Sequence, residues 1–378
     1  MISCEALFDV FRKTGITFFS GVPDSTFKDW MKFLSGHHGG KLTNIIACNE
    51  CEAISLVSGY YLATRKIGVV YMQNSGEGKA VNPLTSLCDP DVYSIPLVMM
   101  IGWRGEPGKK DEPQHKKMGK VMIPLLETLE IPYEIMPDEI GKAATVITDM
   151  VDISKDRKTP VALIIKRNTF EKYGIKNMGD TGPSSKYPMD REEAIKVTVE
   201  SLAGDEIIVS TTGKTSRELF EYRVQRGEDP RDFYTVGSMG CATSIANGIA
   251  ISKEHKKVVI FDGDGAVLMQ MGSLATVGHY HAKNLYHIIF DNNSYDSTGG
   301  QPTTANSVDF EKIAIGCSYQ SAVTVKTKAE LINAASNLRN VEGPHMIIVK
   351  VKNGSRKNLG RPTKTPIENK EEFMRQLK

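Results

Sequence analysis

Short apolar runs separated by amphipathic stretches recur through the first half of the chain: ITFFSGVPD, NIIACNE, AISLVSGYYLAT, IGVVYMQNSG, YSIPLVMMIGW and VALIIKR. Apolar runs that end in Gly, Asp, Asn or Ser predict strands, and AISLVSGYYLAT predicts a helix, so the segment has the β-α-β rhythm of a parallel sheet. Between 171 and 188 (EKYGIKNMGDTGPSSKYP) polar residues, Gly and Pro break the rhythm and predict a linker. It restarts with EIIVSTTG, FYTVGSMG, VVIFDGDG, YHIIFDNN and HMIIVKV, with helical SRELFEYRV and GSLATVGHYHA between them. The expected fold class is α/β, with two open parallel-sheet domains in tandem over 1–170 and 189–378. The opening MISCEALFDVFRKTG sets charges among its apolar residues and predicts an amphipathic helix, not a secretory signal.

Bulk properties narrow the function classes. A length of 378 residues suits two domains. No stretch approaches the ~20 apolar residues a membrane span requires. Formal charge is only +2, with basic residues spread along the chain, so no nucleic-acid partner is expected. The six cysteines are scattered, which predicts free thiols and a cytoplasmic location. Cys48 and Cys51 form a CxxC without a second ligand pair, and packing beside a site is expected of them before zinc or redox use.

Ligands of open α/β sheets gather beyond the carboxyl ends of the strands. The strongest chemical signal there runs from VVIFDGDGAVLMQMGSLATVGHY to YHIIFDNNSYDS: a strand, an acidic glycine turn, a helix, a second strand and two asparagines. A right-handed crossover brings Asp264 and Asn292 to one sheet edge although they are 28 positions apart. A carboxylate, an amide oxygen and a main-chain carbonyl suit Mg²⁺, which bridges to phosphate oxygens. Gly263 and Gly265 let backbone approach those oxygens, and the following helix offers its first amides. Either segment alone also reads as a polar turn. DGDG does not continue as a calcium loop, because Ala266 stands at a ligand position, and GKT is not the end of a P-loop, because Ile208 stands where that motif needs Gly.

These residues resemble the signature of the thiamine-diphosphate enzymes: GDG, a spacer of a little under thirty residues, then an asparagine pair. The resemblance implies thiamine diphosphate and Mg²⁺ as cofactors. It implies Asp264, Asn292 and the main-chain oxygen of Ser294 as metal ligands, and Gly263, Gly265, Ala266 and Asn292 as cofactor contacts. Whether Asn292 or Asn293 ligates stays open, although aligning Tyr295 with the tyrosine common in the decarboxylases favours Asn292. NECEAISLVSGYYLA resembles the family's glutamate motif (Glu50, Ala53, Gly59, Tyr60), which implies that Glu50 contacts the pyrimidine ring and activates the cofactor. Alone, Glu50 also reads as a helix-start carboxylate favoured by the dipole. VGSMG resembles the segment that bends the cofactor, with Met239 as the prop and the Gly237 carbonyl on its amino group; outside that motif a methionine here reads as core. STTGKTSREL resembles the opening of the diphosphate domain, with Gly213, Lys214 and Thr215 near phosphate. The implied organisation is a pyrimidine-binding domain (1–170), a linker (171–188) and a diphosphate and Mg²⁺ domain (189–378), with no middle domain.

The loops GVPDS, GWRGEPGKKDEPQH, SYDSTGGQPT and LGRPTKTP resemble those of the phosphonopyruvate decarboxylase branch, and the sulfopyruvate decarboxylases share part of the pattern. The resemblance implies a carboxy-lyase for a small anionic 2-oxo acid, at least dimeric, with active sites between chains. A phosphonate needs fixed cations, for which Arg104, Lys109, Lys110, His115 and Arg361 are candidates. The lysines of GEPGKKDE also read as solvated charges. Matching segments favour Arg104 and His115. An imidazole that titrates near neutrality would make His115 an acid in the reaction. Asp24 and Ser25 are expected to line the pocket, and Asp24 also reads as the cap of a helix starting near Thr26. A dinucleotide-binding oxidoreductase is disfavoured because GDGAVL lacks the third Gly of GxGxxG, and a non-catalytic subunit because Glu50, Asp264 and Asn292 are all present.

Overall fold

The computed structural model describes residues 1–37, 42–174, 186–229 and 231–378. They form two compact units, Met1–Met178 and Gly179–Lys378. Residues 175–185 of the expected linker lie outside the described residues.

The first unit is a six-stranded sheet between two helical layers. Its strands are β1 (Phe18–Gly21), β2 (Thr43–Ile46), β3 (Val69–Gln73), β4 (Leu97–Gly102), β5 (Tyr133–Ile135) and β6 (Pro160–Ile165), and its helices are α1 (Cys4–Lys13), α2 (Lys28–Gly36), α3 (Glu50–Thr64), α4 (Glu77–Pro83), α5 (Pro113–Thr128) and α6 (Ile140–Arg157). All pairings are parallel, in the order β2-β1-β3-β4-β6-β5. Alternate residues of each central strand point to opposite faces. Phe19, Tyr71, Met100 and Leu163 pack among residues of α1, α2 and α6. Val70, Met72, Met99 and Ile164 pack among residues of α3 and α5. Burial on both faces is why β4 and β6 read as unbroken apolar runs.

The second unit repeats the plan. Its main strands are β7 (Ile207–Ser210), β8 (Phe233–Tyr234), β9 (Val258–Gly263), β10 (Leu285–Asp291), β13 (Ser321–Val325) and β14 (His345–Lys350), with a small antiparallel pair, β11 (Ser294–Tyr295) and β12 (Gln301–Pro302). The helices are α7 (Arg191–Ser201), α8 (Lys214–Gln225), α9 (Ala242–Ser252), α10 (Asp264–Met269), α11 (Gly272–Tyr280), α12 (Phe310–Gly316), α13 (Lys328–Asn337) and α14 (Pro366–Gln376). The parallel order is β13-β14-β10-β9-β7-β8. One expectation is corrected here: the single helix expected between the acidic glycine turn and YHIIFDNN is two, α10 and α11. Gln270 leaves the helical region (φ −137°, ψ 44°), and a Cβ on Gly240 would stand 2.6 Å from its Cγ, so α10 ends where the 237–241 segment packs against it.

In both sheets the chain visits one side and then returns past its starting strand, between β1 and β3 in the first and between β7 and β9 in the second. Such reversals open a crevice beyond the carboxyl ends of the strands. Asp24, Glu50 and Arg104 follow β1, β2 and β4 of the first sheet, and Gly213, Gly237, Asp264 and Asn292 follow β7, β8, β9 and β10 of the second.

Candidate functional site

In the first unit, Glu50 begins α3 directly after the edge strand β2. Asn49 caps the helix by accepting the Glu52 N–H at 3.0 Å, which fixes where the turn starts. The Glu50 carboxyl is 6 % exposed and its Oε2 has no hydrogen-bond partner. Burial raises its pKa, opposed in part by its own backbone amide and by Lys79. The side chain lies over Gly76, beyond β3, where an added Cβ would come within 2.6 Å of Glu50 Cδ. Glycine at 76 is therefore what admits the carboxyl to the crevice.

Two residues before Gly76, Asn74 ties β3 to the β4 loop. Its Nδ2 donates to the Arg104 carbonyl at 2.7 Å, and its Oδ1 accepts the Arg104 N–H at 3.3 Å. The Arg104 guanidinium grips Asp111 through Nε (3.0 Å) and Nη2 (2.7 Å), and its Nη1 donates to Ser25 Oγ at 3.0 Å. Asp111 also accepts the Gly105 and Glu112 amides at 2.8 Å and pairs with Arg167 at 2.6 Å. This concentration of donors holds the Asp111 carboxyl well below the usual carboxylate range, so it stays an anion that fixes two guanidinium groups. Asp24 is fully buried against Gly102, and burial raises its pKa. It occupies the N-cap position of the short turn Ser25–Phe27 but makes no capping bond, and α2 begins only at Lys28, so the capping role expected of it is not what the fold uses.

His115 requires a second correction. It lies in the first turn of α5, not in a loop, and is 9 % exposed. Burial first and then the Arg104 charge push its pKa down to about 4. The ring is a neutral donor and acceptor near pH 7, not the near-neutral acid that imidazole alone suggests. Helix α5 reaches this position because Gly119 packs on Gly105, where a Cβ at 119 would stand 2.7 Å from the Gly105 Cα, and because Trp103 Nε1 donates to the Gly119 carbonyl at 2.8 Å. Lys109 and Lys110 are exposed, and the Lys110 carbonyl accepts from Arg167.

In the second unit the crevice gathers four segments. Gly213 (φ +94°) turns the chain from β7 into α8, so Lys214 and Thr215 form the first turn of that helix. Thr212 Oγ1 accepts the N–H of Gly237, which brings VGSMG beside that turn. A Cβ on Gly240 would meet the Ala266 carbonyl at 3.1 Å, so the segment carrying Met239 lies along α10. Asp264, 2 % exposed, is the first residue of α10, and Gly265 packs beneath Tyr295, whose ring a Cβ would meet at 2.7 Å. The Asp264 carboxyl accepts the Thr303 hydroxyl, while burial and then the nearby Asp291 raise its pKa.

The asparagine turn is tightly held. Asp291 accepts the Asn293 N–H at 3.1 Å and pairs with Lys350. Asn293 is left-handed (φ +56°), and its buried Oδ1 has no partner. Asn292 donates Nδ2 to Asp296 at 2.9 Å, and its Oδ1 accepts the Ser294 N–H at 3.0 Å. Arg361 is exposed, and its neighbour Gly360 is anchored to α8 by Arg217 and Glu221.

Both crevices fit the expected groups chemically. A buried carboxyl with a raised pKa and an unpartnered oxygen at Glu50 suits a ring nitrogen that shares a proton. Asp264, Asn292 and Ser294 are hard oxygen donors crowded at one edge beside a second carboxylate, Asp291, which suits a divalent cation. Residues that the sequence did not point to are Asp111, Arg167, Arg191, Asp296 and Thr303. Thr303 lies in the SYDSTGGQPT segment and Asp111 in GWRGEPGKKDEPQH, so their neighbourhoods were visible while their contacts were not.

Comparison with known proteins agrees with this geometry. Residues 3–122 match the thiamine pyrophosphate enzyme N-terminal TPP binding domain, and residues 211–349 the C-terminal TPP binding domain. A phosphonopyruvate decarboxylase of Streptomyces viridochromogenes is 33 % identical over 367 residues, covering 94 % of this chain and 89 % of its own. One from Streptomyces hygroscopicus is 33 % identical over 386 residues, covering 97 % and 92 %. A sulfopyruvate decarboxylase of Methanosarcina acetivorans is 28 % identical over 371 residues, covering 93 % and 92 %. With both halves of the fold matched and similarity to decarboxylases running nearly end to end, the chain belongs to the thiamine pyrophosphate-dependent decarboxylases.

Proposed function

We propose that this chain decarboxylates phosphonopyruvate to phosphonoacetaldehyde and carbon dioxide, using thiamine diphosphate and Mg²⁺. The observation that carries the reading is the near full-length similarity to two phosphonopyruvate decarboxylases. A guanidinium fixed at the crevice of the first sheet supports it.

When bound, thiamine diphosphate supplies the electron sink for loss of carbon dioxide. The pyrimidine-binding role falls to the first domain (1–170), where Glu50 holds a proton on a buried oxygen to share with the pyrimidine ring. The diphosphate role falls to the second (189–378), joined by a linker at 171–188. There Gly213, Lys214 and Thr215 offer amides and a cation to phosphate, and Gly263, Gly265 and Ala266 allow close backbone approach. Asp264, Asn292 and the Ser294 carbonyl would hold Mg²⁺, with Gly237 and Met239 supporting the cofactor's bend. Arg104, Asp24, Ser25 and Arg361 are the substrate residues. Arg104 keeps unused N–H groups for an anionic head while Asp111 holds it in place. His115, kept neutral by burial, offers an N–H or a lone pair to the reacting carboxyl without adding charge. The enzyme acts in the cytoplasm as a homo-oligomer, at least a dimer, with active sites between chains.

A second reading, sulfopyruvate decarboxylation, is favoured by the similarity to the Methanosarcina enzyme over 93 % of this chain. Carbon dioxide release from phosphonopyruvate, sulfopyruvate and pyruvate, each with and without thiamine diphosphate and Mg²⁺, separates the two. Cofactor-dependent release favouring phosphonopyruvate is expected. Release from sulfopyruvate alone would keep the mechanism and change the substrate, and release without cofactor would reject the mechanism.

A further inference from the structure

Arg191, at the start of α7, is 6 % exposed and makes a bidentate pair with Glu218 of α8, Nε to Oε2 at 2.8 Å and Nη2 to Oε1 at 3.0 Å. Its third nitrogen, Nη1, donates to Asp296 Oδ2 at 3.0 Å. Asp296 also accepts the Gly354 N–H at 3.2 Å and, on the oxygen shared with Arg191, the Asn292 side-chain amide at 2.9 Å. A chain of buried polar contacts thus runs from the second turn of α8, through Arg191 and Asp296, to Asn292.

We infer that Asp296, held by Arg191, is a positioning residue that turns the Asn292 amide so that its oxygen faces the metal position. The argument is one of donor and acceptor count. A carboxylate only accepts, so Asp296 faces the Asn292 nitrogen and not its oxygen. The Ser294 N–H only donates, so it takes Asn292 Oδ1, at 3.0 Å. Both neighbours therefore select the same one of the two amide orientations. Oδ1 keeps a second lone pair beyond the one that takes the Ser294 N–H, and it is this one that would face the metal. The pair with Arg191 fixes where the Asp296 carboxyl lies, and the Arg191–Glu218 fork ties this turn to α8, which begins at Lys214 after its cap Gly213. Groups that would bind one metal diphosphate are thereby set in one register.

The inference rests on the metal reading proposed above, and metal affinity in the full-length protein tests both. Free Mn²⁺ is followed by electron paramagnetic resonance during titration into wild type, Asp296→Ala and Asp296→Asn in the presence of thiamine diphosphate, with melting temperatures measured alongside. Asp296→Ala is expected to weaken Mn²⁺ binding by roughly 10- to 100-fold, as loss of a partner that orients a metal ligand does. Asp296→Asn keeps one acceptor oxygen, which can serve Arg191 and Asn292 together only by turning its amide nitrogen towards the Gly354 N–H, and an intermediate loss is expected. If only the Asn variant folds, its loss carries the test. In an Asn292→Asp background, where either oxygen can ligate, Asp296→Ala is expected to cost little. Wild-type affinity in every folded Asp296 variant would overturn the inference. An equal loss in both backgrounds would show a structural role instead. A wild type that binds no Mn²⁺ would remove the metal reading and the inference with it.

Discussion

Glu50 and His115 were both expected to move protons, and burial gives them opposite characters. A carboxyl without a partner on Oε2 holds its proton more tightly, whereas an imidazole beside Arg104 sheds it. Glu50→Gln keeps the shape and removes the proton exchange. It is expected to lower the decarboxylation rate by on the order of 10²- to 10⁴-fold while thiamine diphosphate still binds, as measured by fluorescence quenching. For His115, ring-proton NMR is expected to show a midpoint near the depressed value of about 4, and Arg104→Gln should move it upward by removing a like charge. The folded-state pKa is lowered, so this group's contribution to stability is present above the ordinary histidine range and is lost as pH falls through about 4. A decarboxylation profile whose acid limb shifts to neutrality with His115 would contradict this.

Helix placement decides which of these side chains reach the crevice. Helix α5 sits on the β4 loop through the Gly119–Gly105 contact, where the obstructing atoms are backbone and cannot swing away. Gly119→Ala is expected to cost about 1–3 kcal/mol in urea denaturation. It should also raise KM more than it lowers kcat, because it displaces the segment that presents Arg104. Helix α4 carries a different strain. Glu77 at its start is 2 % exposed, neither carboxyl oxygen has a partner, and burial raises its pKa to about 8. Folded chains then hold a proton that unfolded chains release. Stability should fall as pH rises from the ordinary glutamate range through about 8, and Glu77→Gln should flatten that slope in melts taken across the range.

At the scale of the whole molecule, the two units are separate sheets with separate cores, each with candidate groups at one edge. One carries Glu50 and the side chains proposed to bind the substrate anion, and the other carries those proposed to hold metal and diphosphate. If active sites form between chains, activity per chain should fall on dilution in step with dissociation followed by analytical ultracentrifugation. A monomer with full activity would refute the shared-site reading.

The sequence by itself determined the two-sheet plan, because strands buried on both faces must be apolar runs and their carboxyl ends must turn through small or polar residues. It also pointed to Glu50, Asp264 and Asn292 as candidates, through motifs that resemble those of the thiamine-diphosphate enzymes. Similarity over nearly the whole chain then tied those motifs to decarboxylases. Only the tertiary structure decided what surrounds them. Arg104 meets Ser25 across 79 positions, Thr303 meets Asp264 across 39, and Arg191 meets Asp296 across 105. The break between α10 and α11, the burial of Asp24 against Gly102 and the depressed pKa of His115 likewise depend on neighbours distant in the chain. Hydrogen-bond partnership and desolvation are set by which strand ends and helix starts converge, and no local pattern of residues encodes that convergence.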